Sequence, residues 1–151
     1  MDTIAFIERP PSLEDYNRLR DDVGWGVYAD HDGLREGLVR SLYHVLAQHE
    51  GNTIGMGRVI GDGRITFYIQ DVIVDAPYRR RGIGKEIMRR IMRYIASNAV
   101  DGAVIGLMAA KGKESFYEAF DFIGRPNEAF GKGMIILWSE DHRARYIDLE
   151  T

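Results

Sequence analysis

The sequence predicts an α/β fold in which helices flank a mixed β-sheet. Three observations support this fold class. Short segments alternate apolar and polar residues or are apolar throughout, as strands are, and glycine-containing turns separate them. Other segments repeat apolar residues every three or four positions, as amphipathic helices do. The predicted order β, α, α, β, β, β, α, β, α, β indicates a sheet with helices packed on it.

The N-terminal part of the chain predicts a short strand and two helices. Residues 4–8 form the strand, which Pro10-Pro11 ends. Ser12 is a candidate N-cap for a helix that runs to about Val23, because its hydroxyl can accept a backbone N–H of the first turn. A second, shorter helix is predicted over residues 32–38.

Three strands follow, joined by tight turns. They are predicted over residues 42–49, 53–60 and 64–74, and Gly61-Asp62-Gly63 is typical of a hairpin turn. The third strand ends in Val72-Ile73-Val74, which is apolar on both faces. We therefore expect this strand in the middle of the sheet.

The longest helix is predicted from Gly84 to about Asn98. Its isoleucines recur every four residues and two methionines widen the stripe, so one face should be buried. Beyond it, the sequence predicts a buried strand over 104–108, a short helix over 114–120 and a last strand over 133–138. The stripe consists of Ile83, Ile87, Met88, Ile91, Met92 and Ile95.

Composition narrows the possible functions. The 151 residues suit a single domain over 1–151, with the polar segment 139–151 as a loosely held tail. The absence of cysteine excludes disulfides, thiolate metal ligands and a cysteine nucleophile, and it fits a cytoplasmic protein without a bound metal. A net charge of -3 argues against general nucleic-acid binding. No apolar run approaches the roughly 20 residues of a membrane span, and residues 1–8 do not resemble a secretory signal.

Positive charge is concentrated where the buried third strand passes into the long helix. The first turn of a helix has N–H groups without internal partners, and these attract anions. Glycines at this point let a ligand approach the backbone. The segment predicts a phosphate or pyrophosphate site, although an ordinary turn with solvated arginines is the alternative. The basic residues are Arg79, Arg80, Arg81, Lys85, Arg89, Arg90 and Arg93.

Three segments in this part of the chain carry a family resemblance. Arg79-x-x-Gly82-x-Gly84 resembles the [QR]-x-x-G-x-[GA] motif of the GCN5-related N-acetyltransferase (GNAT) superfamily. The phrase over residues 72–78 is similar to that family's fourth strand and proline-containing turn, and the phrase over 115–122 is similar to its later FYEKFGF segment. Asp121 stands where the family usually has glycine, and aspartate tolerates left-handed geometry better than most residues.

The resemblance implies a fold and a cofactor. The sheet would be mostly antiparallel, with a splayed parallel strand pair formed by residues 64–74 and 104–108, and acetyl-CoA would lie in the gap. Backbone groups would bind its pantetheine arm and the basic loop its pyrophosphate. The implied cofactor contacts are Val72, Ile73 and Val74, followed by Arg79, Arg80, Arg81, Gly82, Ile83, Gly84 and Lys85.

The resemblance also implies direct attack of an amine on the thioester. Tyr117 matches the family's tyrosine acid, which protonates the departing thiolate. Tyr68 occupies the position of the glutamate base of some members, and Asp71 is a carboxylate within an otherwise apolar strand. Asp71 could act as the base, bind the substrate ammonium or pair with an arginine. Trp25 and Tyr28 lie in the variable region that admits substrate.

The implied activity is transfer of an acetyl group from acetyl-CoA to a primary amine of a small molecule. A protein or peptide acceptor is one alternative, and a non-catalytic module that senses acyl-CoA is another. An intact Tyr117 favours an enzyme over a sensor. The sequence is compatible with a homodimer, and it predicts neither a membrane nor a nucleic-acid partner.

Overall fold

A computed structural model describes residues 3–147, which divide after Met108 into two compact units. The second unit contains two short helices. The elements of the first unit are β1 (Ala5–Ile7), α1 (Leu13–Asp22), α2 (His31–Val39), β2 (Tyr43–His49), β3 (Asn52–Gly61), β4 (Thr66–Val74), a 3-10 turn (Ala76–Tyr78), α3 (Ile83–Asn98) and β5 (Val104–Leu107). Those of the second unit are α4 (Glu114–Glu118) and α5 (Glu140–Ile147).

The first unit confirms the mixed sheet. Its strands lie in the order β1-β2-β3-β4-β5, the first four antiparallel to their neighbours and β5 parallel to β4. Strand β4 lies inside the sheet, as its apolar end predicted. Within residues 3–147, no helix is both long and apolar enough to cross a membrane.

Helices cover both faces of this sheet. On one face, α1 and α2 bury a cluster with side chains of β2, β3 and β4. On the other face, α3 packs so closely that a Cβ at Gly57 would come within 3.0 Å of two isoleucine side chains. Five of the six residues of the predicted stripe of α3 are buried, and Met92 is partly exposed. The cluster under α1 and α2 consists of Tyr16, Leu19, Leu34, Leu38, Leu46, Met56 and Ile73, and the buried residues of α3 are Ile83, Ile87, Met88, Ile91 and Ile95.

Strand β4 begins two residues later than the alternation predicted. The carboxylate of Asp62 accepts the backbone N–H groups of Arg64, Ile65 and Thr66 at 2.8 to 3.1 Å. An aspartate that binds the backbone in this way holds a turn. The turn therefore extends through residue 65, and the ladder starts at Thr66.

One expectation for the C-terminal part differs from the structure. Residues 133–138 were predicted to form a strand, but they adopt no regular structure and their side chains are exposed. A strand requires a neighbour for its backbone groups, and within the described residues none pairs with this segment. The segment 139–151 stays a prediction as a loosely held tail. Its described part contains α5, and the Trp138 ring before it stacks on Tyr146 at 6.0 Å, whereas residues 148–151 lie outside the described residues.

Candidate active site

Strand β4 contains a bulge in the middle of the sheet. The register of β3 against β4 slips between Met56 and Arg58, where two β4 residues, Asp71 and Val72, lie opposite Gly57. Asp71 has a φ of 58°, in the left-handed region that few non-glycine residues adopt. An extra residue of this kind bends the strand and interrupts its ladder.

The parallel pairing of β4 with β5 ends next to this bulge. The last paired residues are Ile69 and Leu107, whereas β4 continues to Val74. Among the described residues, no strand pairs with segment 70–74 on that side. Its backbone groups at this edge can therefore bind the amides of an extended ligand. The unpaired segment begins immediately before residues 72–74, the backbone that the family resemblance implies for the pantetheine arm.

The loop after β4 has a backbone suited to an anion. Arg80 has a φ of 64° and Gly82 a φ of 80°, and Gly82 is the N-cap of α3. Left-handed residues at such positions direct backbone N–H groups into a concave site. Helix α3 has no side-chain cap, so the N–H groups of its first turn have no partner from the cap residue. A Cβ at Gly82 would meet no atom within 4 Å, which leaves space for a ligand against the backbone.

The basic side chains of this loop divide into two groups. Arg79 donates from Nε to the backbone oxygen of Val74 at 3.0 Å, and so holds the loop against the end of β4. Arg80, Arg81 and Lys85 are exposed around the helix N-terminus. These three supply the positive charge that an anion would meet.

Further along α3, positive charge is offset within the helix. Glu86 accepts from Arg89 and, at 3.1 Å, from Arg90. These hydrogen bonds and charges lower the pKa of Glu86 although burial acts in the opposite direction. The arginine-rich stretch of the sequence is thus an exposed basic loop at its beginning and an ion-paired helix surface beyond it.

The carboxylate of Asp71 is buried and binds three donors. Tyr16 Oη donates to Oδ2 at 2.6 Å, Arg58 Nε donates to Oδ2 at 2.8 Å, and Arg20 donates to Oδ1 at 2.9 Å. The Asp71 side chain is only 1% exposed. Of the three roles that the sequence left open for it, these contacts favour the ion pair with arginine, because a base must reach the acceptor amine.

Tyr16 belongs to the same cluster and was read from the sequence only as a helix residue. Burial, reinforced by the negative charge of Asp71, raises its pKa above the ordinary value. The phenol therefore stays protonated at neutral pH and remains a donor. Two arginines face the same carboxylate, so positive charge exceeds negative charge within this group.

Tyr68 lies one residue before the strands part, opposite Gly106 of β5. Burial raises its pKa, and a backbone hydrogen bond with Met108 opposes that shift. The phenol is therefore protonated at neutral pH, which suits a hydrogen-bond donor better than a base.

Tyr117 lies in the second unit, on α4. Its ring makes edge-to-face contacts with Phe116 at 5.0 Å and with Phe122 at 6.3 Å between centroids. Burial raises the pKa of the phenol, so it carries its proton at neutral pH as an acid must. Asp121 closes the following turn with a φ of 74°, the left-handed geometry for which glycine is usual.

A cavity of about 310 Å³ lies between α1, the following loop, α2 and β3. Tyr28, one of the two predicted substrate contacts, lines it. Trp25 is not part of the lining, and its ring lies 5.7 Å from the Arg20 guanidinium. The cavity combines aromatic, aliphatic and charged groups. Its lining consists of Tyr16, Tyr28, Asp30, Gly33, Leu34, Gly37, Leu38 and Arg58.

Sequence reasoning missed Arg20 and Arg58, the two arginines that bind Asp71. Arg58 gave the same signal as Asp71, a charged residue within an apolar strand, which suggests a partner of opposite charge. Arg20 gave none, because an arginine near the end of an amphipathic helix is usually on its solvent face. Among the described residues, no group of side chains forms a metal site.

Comparison with known proteins decides the family. The family model described as acetyltransferase (GNAT) domain matches residues 22–137 of this sequence. The chain belongs to the GNAT acetyltransferase family. That match covers β2 to β5, and it therefore includes the bulge, the strand opening and the basic loop.

Individual GNAT-family relatives agree with this assignment. A probable acetyltransferase of unknown function from meticillin-resistant Staphylococcus aureus superposes with a TM-score of 0.82 at 32% identity, over 90% of this chain and 100% of its own. A GNAT-family acetyltransferase from Streptococcus pneumoniae has a TM-score of 0.73 at 27% identity, over 91% of this chain and 100% of its own. The histone acetyltransferase TAP1 of Glycine max is 31% identical over 111 residues, which are 70% of this chain and 46% of that protein. The chain spans about half the length of the curated relatives it matches, 46% of one and 62% of another.

The three hydrogen bonds to Asp71 predict a large loss of stability when its negative charge is removed. Asp71→Asn should lower the free energy of unfolding by about 3–5 kcal/mol, because it leaves two largely buried arginines, with side chains 11% and 17% exposed, without a counter-charge. Urea unfolding of the variant and the wild type measures this difference. Asp75→Asn is the matched control: its partner Arg18 is partly exposed at 3.2 Å, so the expected loss is below about 1 kcal/mol. A stable Asp71→Asn protein that loses only the acidic limb of its pH–rate profile would instead support Asp71 as the general base.

Proposed function

We propose that this chain is a cytoplasmic acetyl-CoA-dependent N-acetyltransferase that acts on a primary amine of a small molecule, by direct attack in a ternary complex. The observation that carries the proposal is the succession along one strand of a bulge, an open backbone edge and a basic glycine loop at a helix N-terminus. An extended ligand with amides at one end and a pyrophosphate at the other matches that succession. The absence of cysteine supports the cytoplasmic location, because it fits a reducing compartment.

The residues present fit acetyl-CoA. The free edge of segment 70–74 offers amide-spaced donors and acceptors for the pantetheine arm, with Val72, Ile73 and Val74 as the contacts. The first-turn N–H groups of α3 and the exposed Arg80, Arg81 and Lys85 would hold the pyrophosphate. When bound, acetyl-CoA supplies an activated thioester.

The chain's own groups have distinct tasks in the proposed reaction. A backbone N–H near Val72 stabilises the oxyanion, because it lies at the bulge where the ladder is interrupted. Tyr68, protonated at the strand opening, donates a hydrogen bond there. Tyr117 gives its proton to the departing thiolate. Asp71 is a positioning residue, since it acts through Tyr16 and the arginines that it holds.

The cavity under α2 supports a small acceptor with an apolar part and a primary amine. Its volume of about 310 Å³ is within the range of small-molecule pockets. Tyr28, Leu34 and Leu38 offer apolar surface, and Asp30 is the carboxylate of the lining. A peptide acceptor is the second candidate, because the relative from Glycine max is named a histone acetyltransferase.

An amine panel tests the function. We expect free thiol to appear from acetyl-CoA only with certain primary amines, and the cysteine-free chain adds no thiol background. Tyr28→Ala should raise KM for the acceptor by about tenfold, since an aromatic contact with a ligand contributes on the order of 1.4 kcal/mol. Val39→Ala, on the exposed end of α2 and outside the cavity lining, is the control.

Three outcomes of that panel would change the proposal. Turnover with lysine-containing peptides and none with free amines would favour the peptide acceptor. Tight binding of acetyl-CoA without turnover of any amine would favour the sensor. Absence of acetyl-CoA binding would refute the family activity for this chain.

The loop assignment predicts a selective loss of binding. Gly82→Val should weaken acetyl-CoA binding at least about tenfold by calorimetry, because its side chain fills space against the N–H groups and disfavours a φ of 80°. Gly102→Val is the matched control, since Gly102 has a φ of 87°, equally open surroundings and a place outside the loop. Equal affinity in the two folded variants would show that the loop does not hold the pyrophosphate.

The acid assignment predicts a loss of kcat in Tyr117→Phe. The variant keeps the ring contacts with Phe116 and Phe122, so the fold should persist. General acid catalysis contributes about 10²- to 10⁴-fold, and kcat should fall within that range if thiolate departure limits turnover. Because burial raises the phenol pKa, any alkaline limb due to Tyr117 should lie above its ordinary value near 10 and vanish in the variant. Steady-state kinetics and melting curves are the measurements, and a loss confined to KM would leave Tyr117 only a positioning role.

A further inference from the structure

The cavity under α2 has an arginine in its wall. Arg58 lines the cavity, and its hydrogen bonds to Asp71 and Ser41 use Nε and Nη1, at 2.8 and 3.0 Å. Nη2 takes part in neither bond, so it is the nitrogen that a ligand in the cavity would meet. A guanidinium already held on one side by protein groups is a preorganised donor for a carboxylate.

Positive charge exceeds negative charge around this part of the wall. Arg20 and Arg58 share the carboxylate of Asp71, at 2.9 and 2.8 Å. The Arg20 guanidinium also lies 5.0 Å from the ring centroid of Tyr28, which lines the cavity. Both arginine side chains are largely buried, so salt screens their charge less than it would on the surface. An anionic group of a ligand is therefore attracted to this part of the wall.

Arg58 also lies beside the strand segment at which the thioester is proposed to react. On β3 it pairs with Gln70, immediately before the bulge residues Asp71 and Val72 of β4. Neighbouring strands are about 4.8 Å apart, which places the backbone of Arg58 next to the bulge. An amine that reacts there while Arg58 binds an anionic group must be attached close to that group. In an α-amino carboxylate, a single carbon joins the two.

We propose that the acceptor is an α-amino acid with an apolar side chain, whose carboxylate binds Arg58. This inference rests on the proposed function and names its substrate class. Tyr28, Leu34 and Leu38 line the cavity around the apolar side chain. The α-nitrogen attacks the thioester carbon, so that the N–C bond forms and the C–S bond breaks. Of the two protons that the ammonium nitrogen loses, one ends on the CoA sulfur and one in solvent, and the products are an N-acetyl amino acid and CoA.

Asp30 restricts this class further. Its carboxylate lines the same cavity and accepts the backbone N–H of Gly33 at 2.9 Å as the N-cap of α2. A negative charge in the wall repels a second carboxylate on the ligand, which is a device for selectivity. Free glutamate should therefore be a poorer acceptor than free leucine.

Acceptors that differ in one group test the class on the unmodified chain. Leucine, leucinamide and 3-methylbutylamine share the apolar side chain and the amine, and only leucine has the carboxylate. We expect kcat/KM for leucine to exceed that for either of the others by at least about tenfold, because they lose a charge-assisted hydrogen bond. The amine of leucinamide is less basic than that of leucine and the amine of 3-methylbutylamine is more basic, so basicity does not explain a preference over both. Equal or faster turnover of leucinamide or 3-methylbutylamine would overturn the class and leave the acetyltransferase proposal intact.

A variant of the arginine separates carboxylate recognition from a structural role. Arg58→Lys keeps a positive charge beside Asp71 but removes the planar guanidinium. The ratio of kcat/KM for leucine to that for leucinamide should fall toward one, whereas a purely structural defect lowers both values and leaves the ratio unchanged. Arg64→Lys is the matched control, because Arg64 is exposed, donates to the backbone oxygen of Asn98 and lies outside the cavity lining. A wild-type ratio in a folded Arg58→Lys protein would refute the role of Arg58.

Binding distinguishes this inference from the proposed function if no amine is acetylated. Calorimetry in the presence of CoA, which has no acetyl group to transfer, measures the affinity of the wild-type chain for leucine and leucinamide. Leucine that binds at least about tenfold more tightly than leucinamide would support the carboxylate site even if the proposed activity fails. Leucine that does not bind, or binds no more tightly than leucinamide, would overturn the site.

Discussion

The bulge at Asp71 is the constraint on which the rest of the site depends. A left-handed φ in a non-glycine residue is unfavourable by roughly 1–2 kcal/mol, and a buried carboxylate without partners is far worse. Both become acceptable here because Tyr16, Arg20 and Arg58 donate to the carboxylate. With the bulge held in this way, the pairing of β4 with β5 stops at Ile69. An unbulged β4 could continue that ladder and close the edge at which the proposed ligand would bind.

The same side chains connect the strand opening to the cavity. Tyr16 and Arg58 each bind Asp71 and line the cavity under α2. Arg58 also donates to Ser41 Oγ at 3.0 Å, at the end of the segment that carries α2. The cavity wall and the bulge therefore share two side chains. A substitution of Tyr16 or Arg58 would change both the lining of the cavity and the hydrogen bonds that hold Asp71.

The sequence predicted what local chemistry determines. Helix α3 and its buried stripe follow from isoleucines four residues apart, and the loop before it follows from glycine and arginine at fixed spacing. The partners of Asp71 could not be predicted, because Tyr16 and Arg20 come from a helix more than 50 residues earlier and their contact depends on tertiary packing. The strand predicted over residues 133–138 was wrong for a related reason. A period-two or apolar pattern indicates the capacity to form a strand, whereas pairing depends on which edge is within reach.

Cofactor and acceptor recognition differ in how far sequence can reveal them. The proposed cofactor site uses mainly backbone N–H and C=O groups, so its sequence requirement is a set of permissive residues such as Gly82 and a helix N-terminus. That requirement is the same for every chain that binds the ligand, and it appears as a short motif. The cavity instead uses side chains from α1, the loop and α2, such as Tyr28 and Asp30, and each substitution there changes shape and charge. The loop motif therefore carries information about the proposed acetyl donor, whereas the amine that accepts the acetyl group must be found by experiment.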